Sequence, residues 1–452
     1  MKLIKVIVVV LVLAVAGYVG YWFYQSGNIK AAIETNLDQA SKAIAEDGGE
    51  LTHGGVSASG FPFAFDFAVA DIKATFPGKK DDKPEGATGL QIRGETVLSM
   101  GVFSSGKASI SFPTEVVLSA DKDGKREELT TTYNENPTID VEFDGVSYLD
   151  LVANKGPQTF GEWKQAFRHV HYRDNGSTMV DSVSGKPILN GGGVEIDIAY
   201  RPEAEKMQLS FLVKAQDSQV VAEEGANLGE LAKEWVRMYK DLGKFNATFD
   251  VAYEGPKDPQ ALVAGEAKLE IREVSVNSDK FSFQAKGAVN KAADDLLPYG
   301  NVAINLGNFE TLVDSIIGSL HQQHAAAQIA EGLEPVSQQI ITDQATTVKH
   351  FLRRVSDKPE DTANPNIVIT IAREKGTTDA KVGTLNSTQM GELTQETSQK
   401  LSANTSGAPA EQPVEQNTTT LPTVAPADAV TPPAAGEAPA DAKKEEVPAV
   451  SE

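Results

Sequence analysis

From Val6 to Tyr24 the chain runs nineteen residues without a charge, led by Lys2 and Lys5. A helix of that length, at 1.5 Å of rise per residue, nearly matches the roughly 30 Å hydrocarbon thickness of a bilayer. Residues 1–27 are therefore expected to form a transmembrane anchor. The next basic residue is Lys30, so the positive-inside bias keeps the N-terminus in the cytoplasm and sends the rest across. Tyr18, Tyr21, Trp22 and Tyr24 would then lie at the exit interface. The competing reading is a signal peptide cleaved at Ala16, since Ala14-Val15-Ala16 has the small-x-small form. Against it, the apolar run continues through Gly17 to Tyr24.

Past the anchor, about 350 foldable residues are enough for a sizeable core, in two domains or one extended β structure. The net charge of −22 and the 63 acidic residues argue against a nucleic-acid partner, which needs Lys and Arg gathered on one surface. With no cysteine, the chain has neither disulfides nor thiolate metal ligands.

The clearest strand is Phe61 to Val69, where Phe61, Phe63, Phe65, Phe67 and Val69 alternate with Pro62, Ala64, Asp66 and Ala68. The phase then shifts to Ala70, Ile72, Ala74 and Phe76, which predicts a β-bulge near Ala70. Further strands are expected at Leu90–Val102, Lys107–Ser119, Glu127–Tyr133, Thr138–Leu149, Phe167–Arg173, Val194–Tyr200, Lys206–Ala215, Phe245–Tyr253, Gln260–Val276, Lys280–Val289, Asn301–Asn305 and Asn366–Arg373. Helical spacing marks Asn28–Asp47, Leu228–Leu242, a helix after Asn308 as its cap, and Pro335–Val355. The fold class is α+β and β-rich: a transmembrane helix, a long curved antiparallel sheet with a few packed helices, and a disordered tail. Residues 28–393 would be the body, with a sub-domain break near 220–245, and 394–452 the tail. Eight prolines and a net charge of −6 after Asn404 leave that tail little to bury.

No cofactor is expected. No nucleophile elbow, His-Glu-x-x-His or Rossmann glycine pattern occurs, and Gly101–Lys107 has P-loop spacing without the magnesium-binding hydroxyl. A non-enzymatic role is expected. His169 and His171 point to one face of a strand, as metal sites need. With no third ligand evident and Arg168 and Arg173 nearby, the pair reads as a solvated strand face. His321 and His324 read as a polar helix end. The phenylalanine row has two readings, the core of a sheet packed on a helix or the wall of an apolar groove. As a groove, Phe61, Phe63, Phe65, Phe67 and Val69 would line a site for acyl chains.

An N-terminal anchor followed by a helix, Ser59-Gly60-Phe61-Pro62-Phe63 and an alternating strand resembles the uncharacterised bacterial envelope proteins of the AsmA-like superfamily. Leu297-Pro298-Tyr299-Gly300 entering Val302-Ala303-Ile304 is similar to their closing section. The resemblance implies an inner-membrane protein with a periplasmic β-rich body related to lipid-carrying sheets, and it supplies no catalytic residues. The expected partners are the inner membrane through residues 6–24, a lipid ligand and an envelope protein. The alternative is a non-enzymatic assembly or scaffold factor with an ordinary filled core.

Overall fold

A computed structural model describes residues 2–80, 83–102, 106–122, 125–145, 166–201, 206–222, 227–239, 243–256, 265–295, 297–330 and 336–406. Contacts divide the chain into a unit Met1–Gly407 and a unit Ala408–Glu452, and the second lies outside the described residues.

Helix α1 runs unbroken from Lys2 to Glu46, 45 residues, so the apolar run and the amphipathic stretch from Asn28 are one element. Gly48-Gly49 ends it, with Gly49 N–H donating to the Ile44 carbonyl at 2.9 Å. Among the described residues no helix is long and apolar enough to cross a membrane. The side chains of Val6 to Ala14, the most apolar part of the expected span, lie outside that set.

The strands are β1 (Glu50–Thr52), β2 (Val56–Ser59), β3 (Ala64–Lys80), β4 (Lys83–Gly101), β5 (Lys107–Ser111), β6 (Glu115–Lys122), β7 (Lys125–Tyr133), β8 (Thr138–Phe143), β9 (Phe167–Arg173) and β10 (Ser177–Asp181). They continue with β11 (Pro187–Gly191), β12 (Gly193–Arg201), β13 (Met207–Val220), β14 (Lys244–Gly255), β15 (Ala267–Ser278), β16 (Ser282–Lys291), β17 (Tyr299–Gly307), β18 (Ile367–Arg373), β19 (Ala380–Val382) and β20 (Leu385–Asn386). All belong to one 20-stranded sheet. Every pairing is antiparallel, and from β13 to β20 each strand pairs with the next in sequence.

Between β4 and β13 the meander is the same, but each strand is broken in the middle. Val97 of β4 pairs with Ser111 and Arg93 with Glu115, four residues apart on both sides, so β5 and β6 are one strand interrupted at Phe112-Pro113-Thr114. Glu195 pairs with Arg173 and Gly191 with Ser177, again four apart, which makes one strand of β9 and β10 and one of β11 and β12. β8 and β7 flank the break at 134–137. The causes are local. Pro113 and Pro137 have no N–H for a ladder. Gly176 has φ 100°, and a Cβ there would lie 2.6 Å from the Gly191 carbonyl oxygen. The line of breaks stays hydrogen-bonded across strands, as Tyr133 N–H to Thr114 O (2.7 Å) and Asn134 N–H to Gly176 O (2.9 Å) show. It continues into β3 and β4, where Asp71 (φ 46°) faces Arg93-Gly94, and into β13, where Asp217 (φ 45°) donates its N–H to Asn246 Oδ1. The expected bulge near Ala70 is this feature, and bulges bend and twist a strand without losing its buried face.

Among the described residues three cores are filled. Trp22 and Ile29 of α1 pack on Phe65, Phe67 and Met100. Ala232 of helix α2 (Glu230–Tyr239), with Leu228 just before it, packs on Leu129, Met179 and Ile188. Helices α3 (Phe309–Ala330), α4 (Gln338–Arg354) and α5 (Ser387–Ser406) cover Leu306, Ile367 and Ile369 with Phe309, Val313, Ala345 and Leu393.

Several expectations change. The row from Phe61 does not begin a strand: β3 starts at Ala64, after a turn whose Gly60 carbonyl accepts the Ala64 N–H at 2.9 Å. Gly60 has φ 95°, and a Cβ there would meet the Ala64 carbonyl oxygen at 2.8 Å, which accounts for the glycine of Ser-Gly-Phe-Pro-Phe. Asn308 precedes α3 but spends its side chain on the Lys280 carbonyl (3.1 Å), with φ 49°. Across the expected break near 220–245, β13 and β14 pair from Met207 opposite Gly255 to Gln219 opposite Lys244. The body passes Leu393, since α5 continues to Ser406 and Glu396 reaches Arg354 at 2.8 Å. The stretches Val146–Leu149 and Gln260–Ala264 of two expected strands lie outside the described residues.

Candidate functional site

Paired residues on neighbouring antiparallel strands share a face, so the register assigns the apolar side of the sheet residue by residue. Phe65 and Phe67 oppose Met100 and Leu98, which oppose Ala108 and Ile110. The same face continues through Val141 and Ile139 of β8, Val170 and Tyr172 of β9, and Ile198 and Ile196 of β12. It then runs through Phe211 and Val213, Val251 and Phe249, Ile271 and Val274, Ala285, and Ile304 opposite Ile369. The reverse face carries Asp197, Asp250, Glu273, Lys286 and Asn305.

The two ends of this apolar face are covered, by α1 at β3 to β5 and by α3 and α4 at β17 and β18. The middle is not. Among the described residues, none of the three core clusters includes a residue of β12, β13, β14 or β15. Phe249 is 41% exposed and Leu269 40%, and Ile196, Ile198, Phe211, Val213, Val251 and Ile271 are only partly buried. Phe211 and Phe249 meet edge to face at 5.6 Å. With strands about 4.8 Å apart, β9 to β16 make an apolar strip about 24 Å across. Contiguous exposed apolar surface on this scale marks an interaction site. At one margin Tyr172 donates its hydroxyl to Asp174 Oδ2 (3.0 Å), and burial, with Tyr133 and Asp174 beside it, pushes its pKa up, so the phenol stays neutral.

The residues expected to line a groove divide. Phe65 and Phe67 are fully buried and face α1, with Trp22 stacked on Phe65 at 5.7 Å and Trp22 Nε1 donating to the Ala64 carbonyl at 2.9 Å. Val69 is half-buried on the same strand. Phe61 and Phe63 sit in the turn, 47% and 74% exposed. Phe61 lies 5.4 Å from Trp22 and 6.3 Å from Phe23, and Tyr18 donates to the Pro62 carbonyl. Tyr21, Phe23, Tyr24, Phe61 and Phe63 thus form an exposed aromatic group at the end of the apolar run.

On the reverse face, His169 and His171 meet Asp197 of the adjacent strand, whose Oδ2 lies 2.6 Å from His169 Nε2 and 3.1 Å from His171 Nδ1. Asp197 is 26 residues from His171, and only the strand register could have found it. Arg168 hydrogen-bonds Asp144 (3.1 Å), and Arg173 hydrogen-bonds Asn175 (3.1 Å). His321 bonds Gln344 at 2.6 Å, tying α3 to α4, while the side chain of His324 lies outside the described residues. Lys107 opens β5 rather than a helix.

The chain is thus a β-rich protein built on a long antiparallel sheet with one apolar side. It belongs to the DUF2125 family, described as an uncharacterized protein conserved in bacteria, whose profile matches residues 22–340. That range begins at Trp22, the residue that seals the first core. No match is found among curated proteins.

Proposed function

We propose that the protein binds the acyl chains of lipid on the open face of β9 to β16, beside a membrane in which residues 6–24 anchor it. The observation that carries this reading is the uncovered row of Ile196, Ile198, Phe211, Val213, Phe249, Val251 and Ile271, apolar and unoccupied by any core cluster among the described residues. A fully buried methylene contributes about 0.8 kcal/mol, and an open face covers one side, so about half of that. Ten to sixteen methylenes would then contribute roughly 4–6 kcal/mol, the range of about millimolar to tens-of-micromolar binding. Such a face holds lipid loosely and suits handing it over more than storing it.

Membrane attachment is supported by the uncharged run and by the aromatic group at its end. Tyr and Trp rings favour the headgroup layer; Trp22 is buried in the first core, and Phe61 and Phe63 extend the exposed rings of Tyr21, Phe23 and Tyr24. An inner-membrane protein with its body in the periplasm, non-enzymatic and akin to AsmA-like envelope proteins, is the setting this reading adopts. The second reading, a scaffold factor, is favoured by the three filled cores and would place a protein partner on the same face.

The test is lipid bound per chain, measured by mass spectrometry on the purified full-length protein. Wild type retains lipid at a fixed ratio, Phe249→Glu on the open face loses it, and Ala252→Glu on the reverse face of the same strand keeps it. Equal retention by both variants, or none in wild type, contradicts the proposal.

A further inference from the structure

The reverse face of the sheet carries a constellation that lipid binding does not use. β8, β9 and β12 are consecutive in the sheet, and their register puts Asp140, His171 and Asp197 in one row and Glu142, His169 and Ala199 in the next. Both imidazoles turn toward one oxygen, Asp197 Oδ2, and one ligand atom from each of His169, His171 and Asp197 lies within 4.8 Å of the others. All three side chains are about a quarter to a third exposed, and the two histidines line a surface recess with Asp140, Glu142 and Lys107. We propose that this is a binding site for a divalent transition metal of the zinc class, with His169 Nε2, His171 Nδ1 and Asp197 Oδ2 as ligands.

The donor set fits such an ion. Two neutral imidazoles and a carboxylate suit zinc and its neighbours, whereas magnesium and calcium prefer oxygen alone. Bonds of about 2.0–2.1 Å at tetrahedral angles separate ligand atoms by about 3.3 Å. The carboxylate oxygen is now 2.6 and 3.1 Å from the two nitrogens, so accepting an ion requires only a small opening of the three groups. The two hydrogen bonds to Asp197 would be exchanged for two coordinate bonds. Each ligand stands on a sheet strand, which fixes its direction better than a loop does. Two nearby cations are paired with carboxylates, Lys107 with Glu142 and Lys214 with Glu195 at 3.1 Å, while Arg173, hydrogen-bonded to the neutral Asn175, keeps its charge. Asp140, beside His171 on β8, adds negative charge. A fourth position is left for water.

The full-length protein, stripped with a chelator, is titrated with Zn²⁺ against a fluorescent competitor, and then with Co²⁺ to read coordination from its visible absorption. One ion per chain with a tetrahedral Co²⁺ spectrum is expected. Affinity should fall at least about tenfold in His169→Ala and in Asp197→Asn. The asparagine keeps the shape and a hydrogen bond, so a folded Asp197→Asn protein separates ligand loss from misfolding. A Zn²⁺ affinity unchanged in the His169→Ala, His171→Ala double variant places the ion elsewhere and overturns the proposal. No uptake by wild type at micromolar Zn²⁺ overturns it equally.

Discussion

Two phenylalanines two residues apart have opposite fates. Phe65 is enclosed by Trp22, Ile29 and Met100, so Phe65→Ala should cost about 3–5 kcal/mol, and Phe65→Asp should prevent folding by burying an unpaired charge. Phe63, 74% exposed in the turn, should tolerate aspartate within about 0.5 kcal/mol, measured by urea unfolding of the full chain. Alternation alone made the two equivalent; the turn closed by Gly60 separates them. A second single residue sets an acid response. Asp295 accepts the backbone N–H of Gly376 (3.0 Å) and Leu297 (3.1 Å) and pairs with Arg373 (2.8 Å), and these groups, the backbone donors first, hold its pKa at about 2. Its carboxylate therefore contributes stability that is present above the unfolded value near 3.8 and is lost as pH falls toward 2. Unfolding measured between pH 5 and 2 should show this loss in wild type and not in Asp295→Asn. None of this network was visible in the sequence, because its members come from segments some 80 residues apart.

Among the elements, the interrupted strands make the sharpest demand on sequence. At Gly176 a side chain would collide with the Gly191 carbonyl and would have to adopt a positive φ, so Gly176→Val should destabilise by about 1–3 kcal/mol in denaturant titration. The periodicity of Lys107–Ser119 predicted one strand, and the register supports that as far as continuity goes; what it hid was the loss of ladder bonds at Pro113. Strands and helices with a strong apolar period, such as β9, β14 and α4, were legible because burial imposes the period. Short strands such as β10 and β11 were not, since five residues with Gly and Asp at their ends look like turn. The part of α5 beyond Leu393 is not legible because the core residues of the helix are Met390 and Leu393, and Glu396, which meets Arg354, is polar like the tail that follows. Helix α2 was legible in place, but not in its fastening: Leu231 N–H donates to Glu127 (2.9 Å) and Gly229 N–H to Asp181 (3.3 Å), carboxylates from β7 and β10 at the positive end of the helix.

For the folded unit Met1–Gly407, the sequence could say that one side of the sheet is apolar but not which part of it is covered. Alternation reads the same under a helix as under open space. The expected lining at Phe65 and Phe67 lies at the helix-covered end, and the part on which no described helix packs lies on β9 to β16, where each strand offers two or three apolar residues on that side. Trp22 also shows that the core of the body draws on the far end of the apolar run, so a fragment beginning at Asn28 would lack the residue stacked on Phe65 and should unfold at lower denaturant than the full chain. The proposed lipid binding predicts contact between acyl chains and this face. A photo-reactive amino acid placed at position 249, and separately at position 252 on the reverse face, is activated in growing bacterial cells and its adducts are identified by mass spectrometry. Lipid adducts from 249 with none from 252 are the expected result; adducts from 249 to protein alone, or lipid equally from both positions, would contradict it.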